Sequence, residues 1–415
     1  ANTVQGTGAS ATGTNATAVG DNATANGLNA TAIGGNSSAV ANATAVGDQT
    51  TAQQEGVAVG HKTQAGQSGV AIGSQSFRVT GNRQTSRGTT NDIGSVAANG
   101  SVAINGIASG TSGTAITGSA LGNYSLAIGG GNATNTQSIA IGDISVSKGT
   151  QSLALGVYTY AQADYSTAIG SGAEALDVTA IAIGYTAKGH AKKSVALGQQ
   201  AEAKKESSLA IGDYARGNGI RSIAIGASAL ADADESIIIG HDTRTAGKNS
   251  LVIGNDNILT STATNTIAIG NSNGTALSSI KVTDSGFFGN NNNVSASGLS
   301  NIHIVGNNSQ VESSNSIALG TGIRVGSGLD GSVTLGYLST GENYVKPTNQ
   351  TINGITIDSS KFAGMTNNGS PITKGYTVSV GGSNYSRQIK NVAAGEVSAI
   401  STDAINGSQL YEAMR

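Results

Sequence analysis

The chain of 415 residues carries 61 Gly, 2 Pro, no Cys and no Trp, with 11% charged and 4% aromatic residues. So few large side chains exclude a thick core, so little Pro excludes collagen or a Pro-rich linker, and the lack of thiols excludes a disulfide framework or a thiolate metal site. The formal net charge of −2 offers no strong field to nucleic acid or an anionic membrane surface, and no stretch nears the roughly 18 consecutive apolar residues of a membrane span.

The chain opens Ala1-Asn2-Thr3 without a charged or apolar leader, which reads as a mature or trimmed end with any membrane anchor outside this chain. A repeat follows at once. The phrase apolar-Ala-apolar-Gly recurs with its glycines 13 apart at 34, 47, 60 and 73. Residues 74–103 break the step and hold Phe77-Arg78-Val79-Thr80 and the run Arg83 to Thr90. The cleanest run opens at Ser138-Ile139-Ala140-Ile141-Gly142, and its closing glycines stand at 142, 156, 170, 184, 198, 212, 226, 240 and 254, every interval being 14. A serine precedes each phrase in constant register, Ala180 being the exception. Residues 271–301 interrupt again with Phe287-Phe288 and Asn290 to Asn293. The phrase returns at His303-Ile304-Val305-Gly306, Ile317-Ala318-Leu319-Gly320 and Val333-Thr334-Leu335-Gly336. Residues 337–386 lose it and contain both Pro347 and Pro371.

Period-two alternation marks each phrase as a strand. Ile223 and Ile225 point to one face and Ala224 to the other. Both faces are apolar, so both are expected to be buried. The other half of the unit, such as Gln200-Ala201-Glu202-Ala203-Lys204, turns Ala inward and longer polar residues to water. Gly closes the first strand where a turn needs positive φ or close backbone approach, and Asn, Asp, Ser and Gly fill the second corner. Each unit is then two strands and two turns, with five-residue strands about 16 Å long and coils stacked about 4.8 Å apart. A helical reading fails, because Gly at this step would break it. One coil covers only one face of its first strand. Further copies of the chain closing around an axis are the simplest cover for the other, with Ile139, Ile141, Ile181, Ile183, Ile223 and Ile225 in the seam.

The Ser-(Val/Ile/Leu)-Ala-(Ile/Leu)-Gly phrase at this step resembles the head repeat of trimeric autotransporter adhesins, the YadA-like group. A second signature, Arg387-Gln388-Ile389-Lys390-Asn391-Val392-Ala393-Ala394-Gly395-Glu396 running on to Ser401-Thr402-Asp403-Ala404-Ile405-Asn406-Gly407-Ser408-Gln409-Leu410-Tyr411, is similar to the neck of the same family, with Arg387, Asn391, Asp403, Asn406, Gln409 and Leu410 as its marker residues. The resemblance covers nearly the whole chain. It implies an all-β, left-handed parallel β-roll in a homotrimer, with a neck leading to a coiled coil. It also implies display outside the bacterial outer membrane and attachment to host extracellular-matrix proteins, host cell-surface receptors or other bacteria. The expected organisation is a head over 1–336 with irregular stretches at 74–103 and 271–301, a transition module over 337–386, a neck over 387–411 and the start of a stalk helix at 412–415.

Lys188, His190, Lys192 and Lys193 sit near one corner, and Lys204 and Lys205 follow one coil later. They form a column that offers a surface to acidic ligands, or else a solvated edge diluted by Glu202 and Glu206. Phe287 and Phe288 join the candidate ligand surface if 271–301 projects as a long turn. Divergent coils, or tolerated insertions at a corner, are the plainer readings of 74–103 and 271–301. The Asn-Ala-Thr triplets beginning at 15, 22, 29, 42 and 132 match the glycosylation pattern, but the seven-residue spacing near the start marks repeat corners. His61, His190, His241 and His303 lack a second His at ligand spacing. Phosphate loops, nucleophile elbows and paired carboxylates are missing too, which leaves no metal, no cofactor and no catalytic set. The function expected is adhesion. A structural spacer, an ice-facing solenoid and a β-helical polysaccharide lyase or hydrolase are the alternatives. A threonine ladder at fixed outward register would mark the ice binder and is not apparent.

Overall fold

The 14-residue unit becomes one coil of two short parallel strands and two tight corners. In the computed structural model, Leu209–Ile211 and Arg216–Gly217 form one coil, and the next begins at Ile223–Ile225. Leu209, Ala210 and Ile211 stand beside Ile223, Ala224 and Ile225 in parallel register, and Arg216 stands beside Leu230. All residues are described except 74–94, 261–262, 275–281, 295, 297, 353, 365, 368–369 and 372–375. The chain forms two compact units, Ala1–Asp242 and Thr243–Arg415.

The strands are shorter than the five residues expected. Left-handed corner residues end them, because such backbone cannot continue an extended run. In this coil they are Gly212 at φ 128°, Tyr214 at φ 57° and Arg221 at φ 55°. The corners join the ladder nonetheless: Gly212 N–H donates to Leu197 O at 2.8 Å and Tyr214 N–H to Gln199 O at 2.9 Å. Backbone pairing therefore runs around the coil and not along its strands alone.

Alanine fills the interior as expected. Ala196, Ala201, Ala203, Ala210, Ala215 and Ala224 are all fully buried. The serine before each phrase is buried as well, and its hydroxyl is satisfied in its own corner. Ser208 Oγ donates to Lys205 O at 2.7 Å and Ser222 Oγ to Gly219 O at 2.8 Å. Ala180, the exception, is buried without needing a partner. The closing glycines stack on one another. A Cβ built on Gly184, Gly198 or Gly212 would overlap the carbonyl of the closing glycine one coil on, and each holds φ between 128° and 135°.

At the start of the chain Thr3, Thr17, Thr31 and Thr44 share one outward register, so a threonine ladder does exist there. It ends where Thr44 meets Val57. Phe77 to Thr80 and Arg83 to Thr90 lie outside the described residues. The flanks are regular: Val70–Ile72 pairs directly with Val102–Ile104, and Gln64–Ala65 with Val96–Ala97. The irregular stretch is thus narrower than 74–103, since Val96, Ala97, Val102 and Ala103 already belong to ordinary coils.

In the second unit Leu251–Ile253, Ile267–Ile269, Gly286–Phe288, His303–Val305, Ile317–Leu319 and Val333–Leu335 pair in succession, all parallel. Larger residues replace the inward alanines, among them Val252, Phe287, Ile304 and Val311. A buried asparagine ladder replaces the corner serines and threonines. Asn257 Nδ2 donates to Gly270 O at 2.6 Å while its Oδ1 accepts Asn273 N–H at 2.9 Å. Asn273 and Asn292 repeat the pattern one rung on. Each amide thus satisfies a donor and an acceptor of the neighbouring coil.

The stretch 337–386 is an excursion that rejoins the ladder. Gln350–Ile352 and Ile355–Ile357 form an antiparallel hairpin, and Val378–Ser379 then pairs with Val333–Thr334 as the last rung. The phrase was not lost. It returns as Val378-Ser379-Val380-Gly381 with Ser in place of Ala.

Candidate binding surfaces and neck

The outward face of the first sheet is apolar. Ile139, Ile141, Ile181, Ile223 and Ile225 are half-buried and Ile183 is 37% exposed. All six point away from the alanine core, because each flanks an inward Ala on a three-residue strand. Register aligns these positions from coil to coil, Ile211 beside Ile225 and Ile225 beside Ile239. In one chain the result is a continuous apolar stripe.

The outward face of the second sheet alternates in charge. Glu174, Lys188, Glu202 and Arg216 stand in consecutive register. Lys188 Nζ lies 3.7 Å from Glu174. Glu202 gathers His190 at 3.0 Å, Lys204 at 3.2 Å and Arg216 at 3.8 Å. Lys188, His190 and Lys204 are therefore engaged on the sheet face, whereas Lys192, Lys193 and Lys205 are exposed at the corner beyond it. Phe287 leaves the candidate surface. It takes the inward register of Ala268 and Ile304 and is fully buried, so this part of 271–301 is a divergent coil and not a projecting turn. Phe288, its neighbour, points outward and is 39% exposed. Asn15, Asn22, Asn29 and Asn42 adopt left-handed backbone at corners, as their spacing implied.

The neck residues hold one another and the last coils. Arg387 Nη1 donates to Ser339 Oγ at 2.8 Å and Val380 O at 2.6 Å, and Nη2 donates to Tyr337 O at 2.5 Å. One guanidinium thus ties the neck to both sides of the excursion, a planar fork serving several acceptors. Replacing Arg387 with Ala is expected to loosen this end alone. The Val333 and Thr340 amides, which donate to Thr377 and Gly381 carbonyls, should exchange with solvent roughly 30-fold faster for a loss of about 2 kcal/mol, with the first unit unchanged. Gln409 accepts Gly395 N–H at 3.0 Å and donates to Gly395 O at 2.6 Å. Asn406 Nδ2 donates to Val392 O at 3.1 Å, and Asp403 Oδ2 accepts Glu396 N–H at 3.1 Å. Asn391 takes a left-handed φ of 59°. The helix runs over Gly407–Met414, ahead of the expected 412, because Asn406 and Gln409 form a capping box. That Asn-x-x-Gln spacing was the missed signal. Leu410 is half exposed on the helix, and in the neck Ile389, Val397 and Ile400 are 72%, 79% and 85% exposed. Among the described residues no helix is long and apolar enough to cross a membrane.

The family described as the YadA head domain repeat matches residues 6–37, 133–159, 161–187, 191–215, 218–237 and 305–322, and that described as the coiled stalk of trimeric autotransporter adhesin matches 388–415. Over these residues the chain matches the trimeric autotransporter adhesins. The head repeats fall on the coils and the stalk match begins one residue after Arg387, so both halves of the sequence resemblance land on the elements built above. Among solved structures, the C-terminal YadA-like domain of a Burkholderia pseudomallei protein is 37% identical over 27% of this chain and 50% of its own length, with a TM-score of 0.22. The chain thus spans half of that relative. The collagen-binding domain of the Yersinia adhesin YadA is 20% identical over 65% of this chain and 85% of its own length, with a TM-score of 0.19. No protein with a curated description matches this chain.

Proposed function

We propose that this chain is the head and neck of a homotrimer displayed on a bacterial outer membrane. There it attaches the cell to host matrix, host cells or other bacteria. The uncovered apolar face of the first sheet carries the reading. A soluble monomer rarely exposes an apolar patch beyond a few hundred Å², and over the coils from Ile139 to Ile239 the outward residues are all Ile, Leu or Val except Thr167. Three copies around an axis would turn those stripes toward each other and leave the charged second-sheet faces outward. The exposed apolar residues of the neck and helix call for the same partners. Attachment then works by number: each face binds weakly, and three faces on many heads supply avidity. Light scattering behind size exclusion is the direct check. A mass near three times 40.8 kDa is expected, and a well-folded monomer would overturn both the seam and the adhesin reading.

A further inference from the structure

We propose that the corner carrying Lys192, Lys193 and Lys205 binds a linear sulfated polysaccharide. This deepens the reading of the chain as a displayed trimeric head and rests on it. Between residues 188 and 221 seven Lys and Arg face three Asp and Glu, in a chain whose net charge is −2. The excess is not spread evenly. On the sheet face Glu174 and Glu202 engage Lys188, His190, Lys204 and Arg216. Nearer the next coil Arg221 is bonded to Glu235. Around the corner itself Asp177 is half-buried and accepts Val178 N–H at 2.7 Å, and Glu206 is the other carboxylate beside these lysines.

The lysines stand on a fixed frame. Lys193 N–H donates to Val178 O at 3.1 Å and Ser207 N–H to Lys192 O at 3.0 Å. The buried Ser208 hydroxyl holds Lys205 O at 2.7 Å. Their backbones therefore sit on adjacent rungs about 4.8 Å apart. An exposed pair of opposite charges at 4 Å is worth only about 1 kcal/mol in water, so a small anion meeting one lysine would not stay. A polymer that meets several lysines on each of three chains would. The patch spans about two rungs. Asp164, Asp234 and Glu235 flank it, and a duplex nucleic acid or a flat anionic bilayer would press against those carboxylates. A single narrow polysaccharide chain need not.

The test uses the whole trimeric chain and heparin as the probe. The mass is measured first, then heparin binding against salt, for the natural chain and for Lys192→Glu/Lys193→Glu/Lys205→Glu. Binding that weakens with salt is expected. The variant should keep its mass and melting temperature, bind at least about tenfold more weakly and lose about one counterion of salt dependence per lysine. Lys346→Glu, far along the sequence, should bind as before. A trimer that ignores heparin at low salt, a variant that binds equally, or tighter binding to duplex DNA or phosphatidylserine vesicles would each overturn the proposal. A monomer would overturn the head reading instead, and the corner would then stand or fall on the same charge reversal.

Discussion

Ile225→Asp is expected to abolish the trimer while leaving each coil folded. In a single chain Ile225 is half-buried and points outward between Ile211 and Ile239, so a carboxylate there still reaches water and the alanine core is untouched. In a seam closed about an axis the same carboxylate is buried three times over with no cation opposite. An uncompensated buried charge costs about 3–5 kcal/mol, and like charges facing one another add to that. Circular dichroism should keep its β signature while light scattering reports one chain. Ala224→Asp makes the contrast: Ala224 is fully buried inside the coil, so that variant should fail to fold. If Ile225→Asp instead ran as a trimer with unchanged heat resistance, Ile225 would not be in the seam.

Gly198→Ala is expected to destabilise the first unit through a single methyl. Gly198 holds φ 135°, and a Cβ there would overlap the carbonyl of Gly212. Backbone of this kind is open almost only to glycine and costs other residues about 1–3 kcal/mol. The overlap adds to that, because two stacked coils must part to admit the methyl. Since coils bond mainly to their neighbours, the damage should stay local. Hydrogen exchange should rise at the Gly198 and Tyr214 amides, which donate to Ile183 O and Gln199 O, and the melting temperature should fall by several degrees. By comparison Ala substituted for the exposed Gln199 should change neither. Equal melting of Gly198→Ala and the natural chain would mean that the glycine column is not what sets coil spacing.

The repeat was legible because one geometric demand recurs at one step. In the regular 14-residue coils glycine stands where closing corners stack, and a small side chain mostly stands between the two strands of one coil. Those demands print themselves on the sequence as Gly and Ala. Strand length was not legible, because the left-handed corner positions accept Tyr214, Arg221, Lys193 and Gln200 alike, and such residues give no turn signal. Phe287 misled for a related reason. An aromatic among asparagines looks like a loop tip, yet the second unit's interior takes it in the place of an alanine. The charged ladder could have been read by extending the step used for the lysines. Glu174, Lys188, Glu202 and Arg216 lie 14 apart, so Glu202 is a rung of an alternating ladder as well as a dilution of the lysine field. The last rung escaped because a hairpin separates Val378 from its partner Val333.

That late rung has a consequence for how such a protein changes over time. The excursion before it is about three times the length of an ordinary coil, and closing a loop costs only about 0.6 kcal/mol more for each doubling of its length. Rejoining the ladder in register is therefore set by the local fit of Val378 and Ser379 against Val333 and Thr334, and hardly by how much chain lies between. Segments gained or lost at such a point leave the neighbouring rungs to form as before, so the surface of the protein is free to diversify while its interior stays the same.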